Sequence, residues 1–61
     1  MTRVLDVAHL QLGDTLVDNQ VPYVVNHIEQ DRFCYDLQLL DSNGGKISKC
    51  IPADQQVIIE L

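Results

Sequence analysis

The side chains that could carry out chemistry are two histidines, two cysteines and nine carboxylates. Neither His9 nor His27 has a third ligand near it at the spacing of a zinc site. A thiolate nucleophile needs a neighbouring base, so a catalytic pair of His27 with Cys34 or Cys50 is conceivable, but nothing in the spacing demands it. A chain of 61 residues also has little volume in which to enclose a substrate. The sequence therefore predicts a protein that is not an enzyme.

The carboxylates and glycines do not form a recognisable site for a metal or a phosphate. Paired carboxylates flank two apolar stretches, at Asp14, Asp18, Asp36 and Asp41. The alternating Asp run of a calcium loop is absent, and turn and surface positions account for these residues. The paired glycines precede no helix, so they are not a phosphate cradle. We expect no metal and no cofactor.

Charge argues against nucleic acids and membranes as partners. Nine acidic residues face four basic ones, giving a net charge of -5, and the basic residues are scattered at Arg3, Arg32, Lys46 and Lys49. Nucleic-acid binding draws much of its affinity from Lys and Arg side chains that neutralise phosphates. Anionic membranes likewise attract clustered basic residues. We therefore expect no membrane partner and disfavour a nucleic acid without excluding one, and the dispersed carboxylates are typical of a solvated surface.

The two cysteines, Cys34 and Cys50, form neither a Cys-x-x-Cys pair nor a metal-binding quartet. No secretory or transmembrane segment precedes them. Disulfide-rich domains of this size usually carry more cysteines, and neither hairpin register considered below places these two opposite each other. We expect a cytoplasmic protein with two reduced thiols and no disulfide.

Beyond residue 14 the chain has the pattern of short antiparallel strands, because β-branched and aromatic residues alternate with turns rich in Asp, Asn and Gly. Residues 4–12 fit a short helix turn or an irregular strand equally well, and we expect them to pack on the rest of the domain. His27 shares strand parity with Tyr23 and Val25, which would place it at the rim of a barrel. The predicted strands are residues 15–17, 21–30, 33–41, 46–51 and 57–61, with a 3₁₀ turn at 52–55.

The Asn43-Gly44 pair predicts a tight hairpin between the third and fourth of these strands but does not fix its register. A two-residue loop pairs Leu40 with Ile47 and leaves both, together with Ile51, on the outer face. A one-residue bulge beside the glycines instead turns Ile47 and Ile51 inward, together with Lys49. The sequence leaves both registers open.

The chain has more apolar residues than strict alternation can bury. The expected inward residues of the third and fifth strands are Phe33, Tyr35, Leu37, Leu39, Val57, Ile59 and Leu61. Four further residues then remain as a candidate partner-binding surface: Leu40, Ile47, Ile51 and Ile58. A contiguous exposed apolar patch marks an interaction site. The alternative is that residues 4–12 cover the surplus.

The order of these elements resembles the SH3-like small barrel. Leu10-Gln11-Leu12-Gly13-Asp14-Thr15-Leu16, followed by Pro22-Tyr23-Val24-Val25, is similar to the opening of KOW-type barrels. The resemblance implies one all-β domain over residues 1–61, a five-stranded antiparallel SH3-like barrel. It does not carry a function across, because the turn at residues 30–32 is short where the elongation-factor barrel of this type has a long basic loop. With no Trp and two Tyr, the chain also lacks the aromatic groove or cage of peptide and methyl-lysine readers.

These observations predict a small non-enzymatic interaction module that binds a protein partner or associates with itself through apolar strand surface. A core this small often gains stability from association, which favours a homodimer. Two alternatives come from other classes: a nucleic-acid-associated accessory barrel of KOW type, and an acidic decoy that occupies the nucleic-acid site of a basic protein.

Overall fold

The computed structural model of the protein describes residues 1–61 and contains one antiparallel sheet of six strands. The strands are β1 (Thr2–Asp6), β2 (Thr15–Asp18), β3 (Val21–Gln30), β4 (Cys34–Leu40), β5 (Lys46–Pro52) and β6 (Gln56–Glu60). Their order in the sheet is β1-β6-β2-β3-β4-β5, so β1 and β5 are the edges. The prediction of an all-β antiparallel protein is confirmed. The count of five strands is corrected to six.

The sixth strand comes from the N-terminal segment, for which the sequence left helix and strand open. β1 pairs with β6 along its whole length, from Thr2 opposite Glu60 to Asp6 opposite Gln56. A single 3₁₀ turn, Val7–His9, follows and places Val7 in the core with 1% of its surface exposed. The Val7 amide donates to the Gln55 carbonyl at 3.0 Å, which ties this turn to the start of β6.

The core consists of nine apolar residues and contains no buried polar side chain. Its members are Val7, Leu10, Leu16, Val25, Leu37, Leu39, Ile51, Val57 and Ile59. Leu37 and Leu39 are buried as their alternation predicts, and Tyr35 packs against them partly buried. Val57 and Ile59 likewise confirm the expected inward face of the last strand.

Phe33 and Leu61 were expected in the core and are instead exposed, by 78% and 67%. The reason at Phe33 is that the Asp31 amide donates to the Cys34 carbonyl at 2.8 Å, so Phe33 lies in a turn and β4 begins one residue later. The guanidinium of Arg32 lies over the Phe33 ring, 5.9 Å from its centroid. Leu61 lies beyond the end of β6.

A bulge in β3 divides the sheet into two halves. Val25 pairs with Leu39, but the next pair is His27 with Gln38, so Asn26 is an extra residue. A bulge bends its strand and shifts the alternation of side chains by one position. Ile28 therefore lies on the inner face, opposite Leu37, and His27 lies on the outer face. Strict alternation predicts His27 on the same face as Val25, and that prediction is wrong because of the bulge.

The β4–β5 hairpin adopts the second of the two predicted registers. Leu39 lies opposite Ile47, and the Asp41 amide donates to the Gly45 carbonyl at 2.9 Å, which closes a three-residue loop. Gly44 has φ +81°, a conformation that side chains disfavour. Ile47 and Ile51 consequently share the inner face with Leu39.

The predicted 3₁₀ turn at residues 52–55 is corrected to an isolated hydrogen-bonded turn. The Gln55 amide donates to the Pro52 carbonyl at 3.0 Å, but Pro52 still belongs to β5, opposite Cys34. Proline is compatible with this position because β5 is an edge strand. The structure has no helix of the length and hydropathy needed to span a bilayer.

Candidate functional site

The two halves of the sheet present outer faces of opposite character. On β1, β6, β2 and the start of β3 the outer face carries a central row of apolar residues with polar residues on both sides of it. On the end of β3, β4 and β5 the outer face is mainly polar and carries both cysteines. The change occurs at the β3 bulge. These two faces are the candidate functional surfaces.

The apolar face is a row that crosses four neighbouring strands. Val4 of β1 lies opposite Ile58 of β6, Ile58 opposite Val17 of β2, and Val17 opposite Pro22 of β3. Val24 lies on the same face, two residues from Pro22. The exposed fractions are 58% for Val4 and 43% for both Ile58 and Val24. We refer to Val4, Val17, Pro22, Val24 and Ile58 as the outer apolar patch.

The four residues that the sequence predicted as a partner-binding surface do not lie together. Ile58 is in the outer apolar patch, and Leu40 is half-buried on the same face, opposite Val24. Ile51 is in the core with 7% exposed, and Ile47 is on the inner face at the β5 edge with 38% exposed. The assignment of these four residues to partner binding stays a prediction.

Sequence reasoning missed Val4, Val17, Pro22 and Val24 as surface residues. Their signal is the runs of adjacent apolar residues at 4–5, 16–17 and 21–25, in which only alternate residues of a strand can face inward. It becomes a patch only when β1 is known to be a strand paired with β6.

The polar face holds a disulfide between Cys34 and Cys50, which corrects the expectation of two free thiols. The register places Cys50 directly opposite Asp36, and Cys34 two residues before Asp36 on the same face. The cysteines are therefore diagonal neighbours on adjacent strands, with a Cα–Cα distance of 6.1 Å. That separation lies within the range a disulfide allows. The expectation failed because it considered only residues directly opposite each other.

Polar side chains of three strands surround the disulfide in a shallow groove. Glu29, Asp36 and Cys50 form one row across β3, β4 and β5, and the residues of the next row are His27, Gln38 and Ser48. All six line the groove. We refer to them, with Cys34, as the cystine groove.

The conceivable catalytic pair is partly brought together, because His27 and Cys50 line the same groove. A thiolate nucleophile is not available while Cys50 is bonded to Cys34. His9 is elsewhere, in a second groove with Arg3 and Asp14.

Two of the four basic side chains contact a neighbouring residue, and the four do not form a stripe. Lys49 lies on the inner face, and its Nζ contacts Asp18 Oδ2 of β2 at 2.6 Å, with both side chains more than one-third exposed. Arg32 lies over Phe33 in the turn before β4. Among the strand pairs, only Glu29 and Asp36 set two carboxylates side by side.

The chain matches no protein-family model. It shows no significant similarity to any curated protein.

Proposed function

We propose that this protein is a non-enzymatic interaction module and that a second copy of the same chain occupies its outer apolar patch. The observation that carries the proposal is the uninterrupted row of Val4, Ile58, Val17 and Pro22 across four strands. Contiguous exposed apolar surface of this kind is characteristic of interaction sites.

The chemistry of the patch favours a second copy over an oppositely charged partner. The row contains no charged residue, although the chain carries a net charge of -5. We place the outer apolar patches of two copies face to face. They are related by a two-fold axis that lies between the two sheets and runs parallel to the strands, at the boundary between β6 and β2. In this arrangement Ile58 would face Val17 of the second copy, and Val4 would face Pro22. Apolar residues thus meet apolar residues throughout, as an isologous interface requires.

Two carboxylates flank the row on the same face, Asp6 two residues from Val4 and Glu60 two residues from Ile58. Glu60 lies one row away, opposite Thr15 on β2, and pairs with the N-terminal ammonium group at 3.4 Å. In the two-fold arrangement Glu60 would face Thr15 of the second copy, not another carboxylate. Association would also add buried area to a core of only nine residues.

An SH3-like barrel is part of the proposal for the fold. Its support is the order β6-β2-β3-β4-β5, a meander of five strands whose last strand returns beside the first, with β1 as an addition at the edge. The bulge in β3 provides the bend that a small barrel needs. No observation favours the KOW-type or decoy alternatives, because the basic residues are dispersed and the carboxylates are not arrayed.

A cytoplasmic location is likewise a proposal. Disulfides are rare in that compartment, so the Cys34–Cys50 pair would be two thiols there. Cys50 is exposed and Cys34 is half-buried, which leaves the bond accessible to cellular thiol reductants.

Light scattering after size exclusion tests self-association at about 100 μM protein, above the range of a micromolar dissociation constant. The wild-type protein should elute at twice the mass of one chain. Ile58→Lys places a charge at the centre of the patch and should weaken association at least about thirtyfold, since a central interface residue contributes about 2 kcal/mol or more.

The matched control is Ser48→Lys, which adds the same charge to the exposed cystine groove and should remain dimeric. A wild-type protein that is monomeric at this concentration would contradict the proposal. A Ser48→Lys variant that dissociates as readily as Ile58→Lys would locate the interface elsewhere.

A further inference from the structure

The cystine groove brings three potential metal ligands together at one point. The Sγ atoms of Cys34 and Cys50 and a carboxylate oxygen of Asp36 all lie within 4.8 Å of one another. Cys34 Sγ is 3.9 Å from Asp36 Oδ1. The three residues come from two adjacent strands whose hydrogen-bonded register fixes their relative positions.

We infer that the reduced form of this chain binds one zinc-class divalent cation through Cys34, Cys50 and Asp36. Reduction breaks the S–S bond, and each sulfur gains one electron and one proton. The electrons come from a reductant such as a thiol or a phosphine, and the protons come from the thiol or, with a phosphine, from water. When the cation binds, the two thiols release their protons to solvent and coordinate as thiolates. The disulfide form lacks both thiolates, so the site exists only in the reduced state.

The distances fit tetrahedral coordination after a small movement of the sulfur atoms. With Zn–S bonds of about 2.3 Å, two thiolates in a tetrahedral site lie about 3.8 Å apart. A thiolate and a carboxylate oxygen bound at about 2.0–2.2 Å lie about 3.5 Å apart. The Cys34 Sγ to Asp36 Oδ1 distance of 3.9 Å is already close to this value. Rotation of the two cysteine side chains supplies the rest.

The ligand types select the class of cation. Two thiolates favour zinc over magnesium or calcium, which prefer all-oxygen sites. Three protein ligands leave the fourth position of a tetrahedral zinc site for water. Asp36 and Cys50 are exposed, so a cation reaches the site from solvent without any movement of the backbone.

Titration with Co²⁺, a spectroscopic substitute for zinc, tests the site directly. The protein is first reduced by a phosphine under anaerobic conditions; water supplies the oxygen of the phosphine oxide and the protons of the thiols. The reduced wild-type protein should develop a thiolate-to-cobalt charge-transfer band that saturates at one cation per chain. Added Zn²⁺ should abolish the band, and the oxidised protein should show none.

Substitutions distinguish binding by the three ligands from attraction of the cation to the negative charge of the whole chain. Asp36→Asn should weaken cobalt affinity at least about tenfold, since even residues outside the coordination shell contribute that much. Asp54→Asn, which removes the same charge from an exposed turn, should change the affinity less than twofold. Cys34→Ser and Cys50→Ser should each reduce the charge-transfer intensity, and the Asp36→Asn result decides the question if the cysteine variants do not fold.

Three results would overturn the inference. The first is a reduced wild-type protein without a charge-transfer band, and the second is an Asp36→Asn variant that binds cobalt as tightly as Asp54→Asn. The third is saturation at one cation per two chains, because the thiolates would then come from different molecules.

Discussion

A single carboxylate and a glycine determine which face each residue of β5 presents. Asp41 Oδ1 accepts hydrogen bonds from the amides of Asn43 at 2.9 Å and Gly45 at 2.7 Å. Gly44 adopts the positive φ that a three-residue loop needs. The sequence showed both residues but left two registers open, because Asn-Gly is compatible with loops of either length. The register decides that Ile51 is in the core and Cys50 is on the surface.

Removing the Asp41 carboxylate should weaken this hairpin. We expect Asp41→Ala to lower the free energy of unfolding by about 1–2 kcal/mol, because two hydrogen bonds to a charged acceptor are lost at an exposed site. Asp41→Asn keeps one acceptor oxygen and should recover most of the loss. Urea denaturation followed by circular dichroism measures both. An alanine variant as stable as the wild type would show that the carboxylate does not hold the loop.

The Cys34–Cys50 bond should stabilise the fold measurably. The two cysteines are 16 residues apart, and closing a loop of about 15 residues contributes about 3 kcal/mol in the chain-entropy account. That is a large part of the total of roughly 3–9 kcal/mol expected at about 0.05–0.15 kcal/mol per residue. Urea unfolding of oxidised and reduced protein, with metal chelated, measures the difference. Equal midpoints for the two forms would contradict the expectation.

At the scale of elements, strands were easier to predict from sequence than their pairing and their irregularities. The second predicted strand matches β3, Val21–Gln30, residue for residue. The bulge within it was not foreseen, because Asn26 resembles any other outward polar residue in the pattern. β1 was also left open, since residues 4–12 satisfy two periodicities at once. Its strand form depends on pairing with β6, whose residues lie 50 to 58 positions away in the sequence.

Deleting Asn26 tests whether it is the extra residue that sets the faces of β3. Without it, Val25 and His27 follow each other in a regular ladder, so His27 stays outward opposite Gln38 and Ile28 stays inward opposite Leu37. Deleting Ile28 shortens the strand by the same length but leaves only polar residues to lie opposite Leu37. We expect the Ile28 deletion to lose at least about 1 kcal/mol more stability than the Asn26 deletion, because a polar side chain would replace an apolar one on the inner face. Thermal unfolding compares the two variants, and equal effects would refute this role for the bulge.

At the scale of the whole molecule, the excess of apolar residues was visible in the sequence but its location was not. Strict alternation leaves surplus apolar side chains, and the outer apolar patch contains such residues. Which residues form the patch depends on the order β1-β6-β2-β3, a long-range property of the sheet. The cystine groove likewise depends on the register of two strands. Neither surface can be read from a local pattern.

Methyl-resolved NMR spectra recorded at increasing protein concentration test the central claim, self-association through the outer apolar patch, most directly. Between about 1 μM and about 100 μM, the range over which a dimer of micromolar dissociation constant forms, the methyl signals of Val4, Val17 and Ile58 should shift together. The signals of Ile47 and Ile51, on the inner face of β5, should stay in place. Methyl signals of the patch that do not change over this range would contradict the account, as would shifts confined to β5.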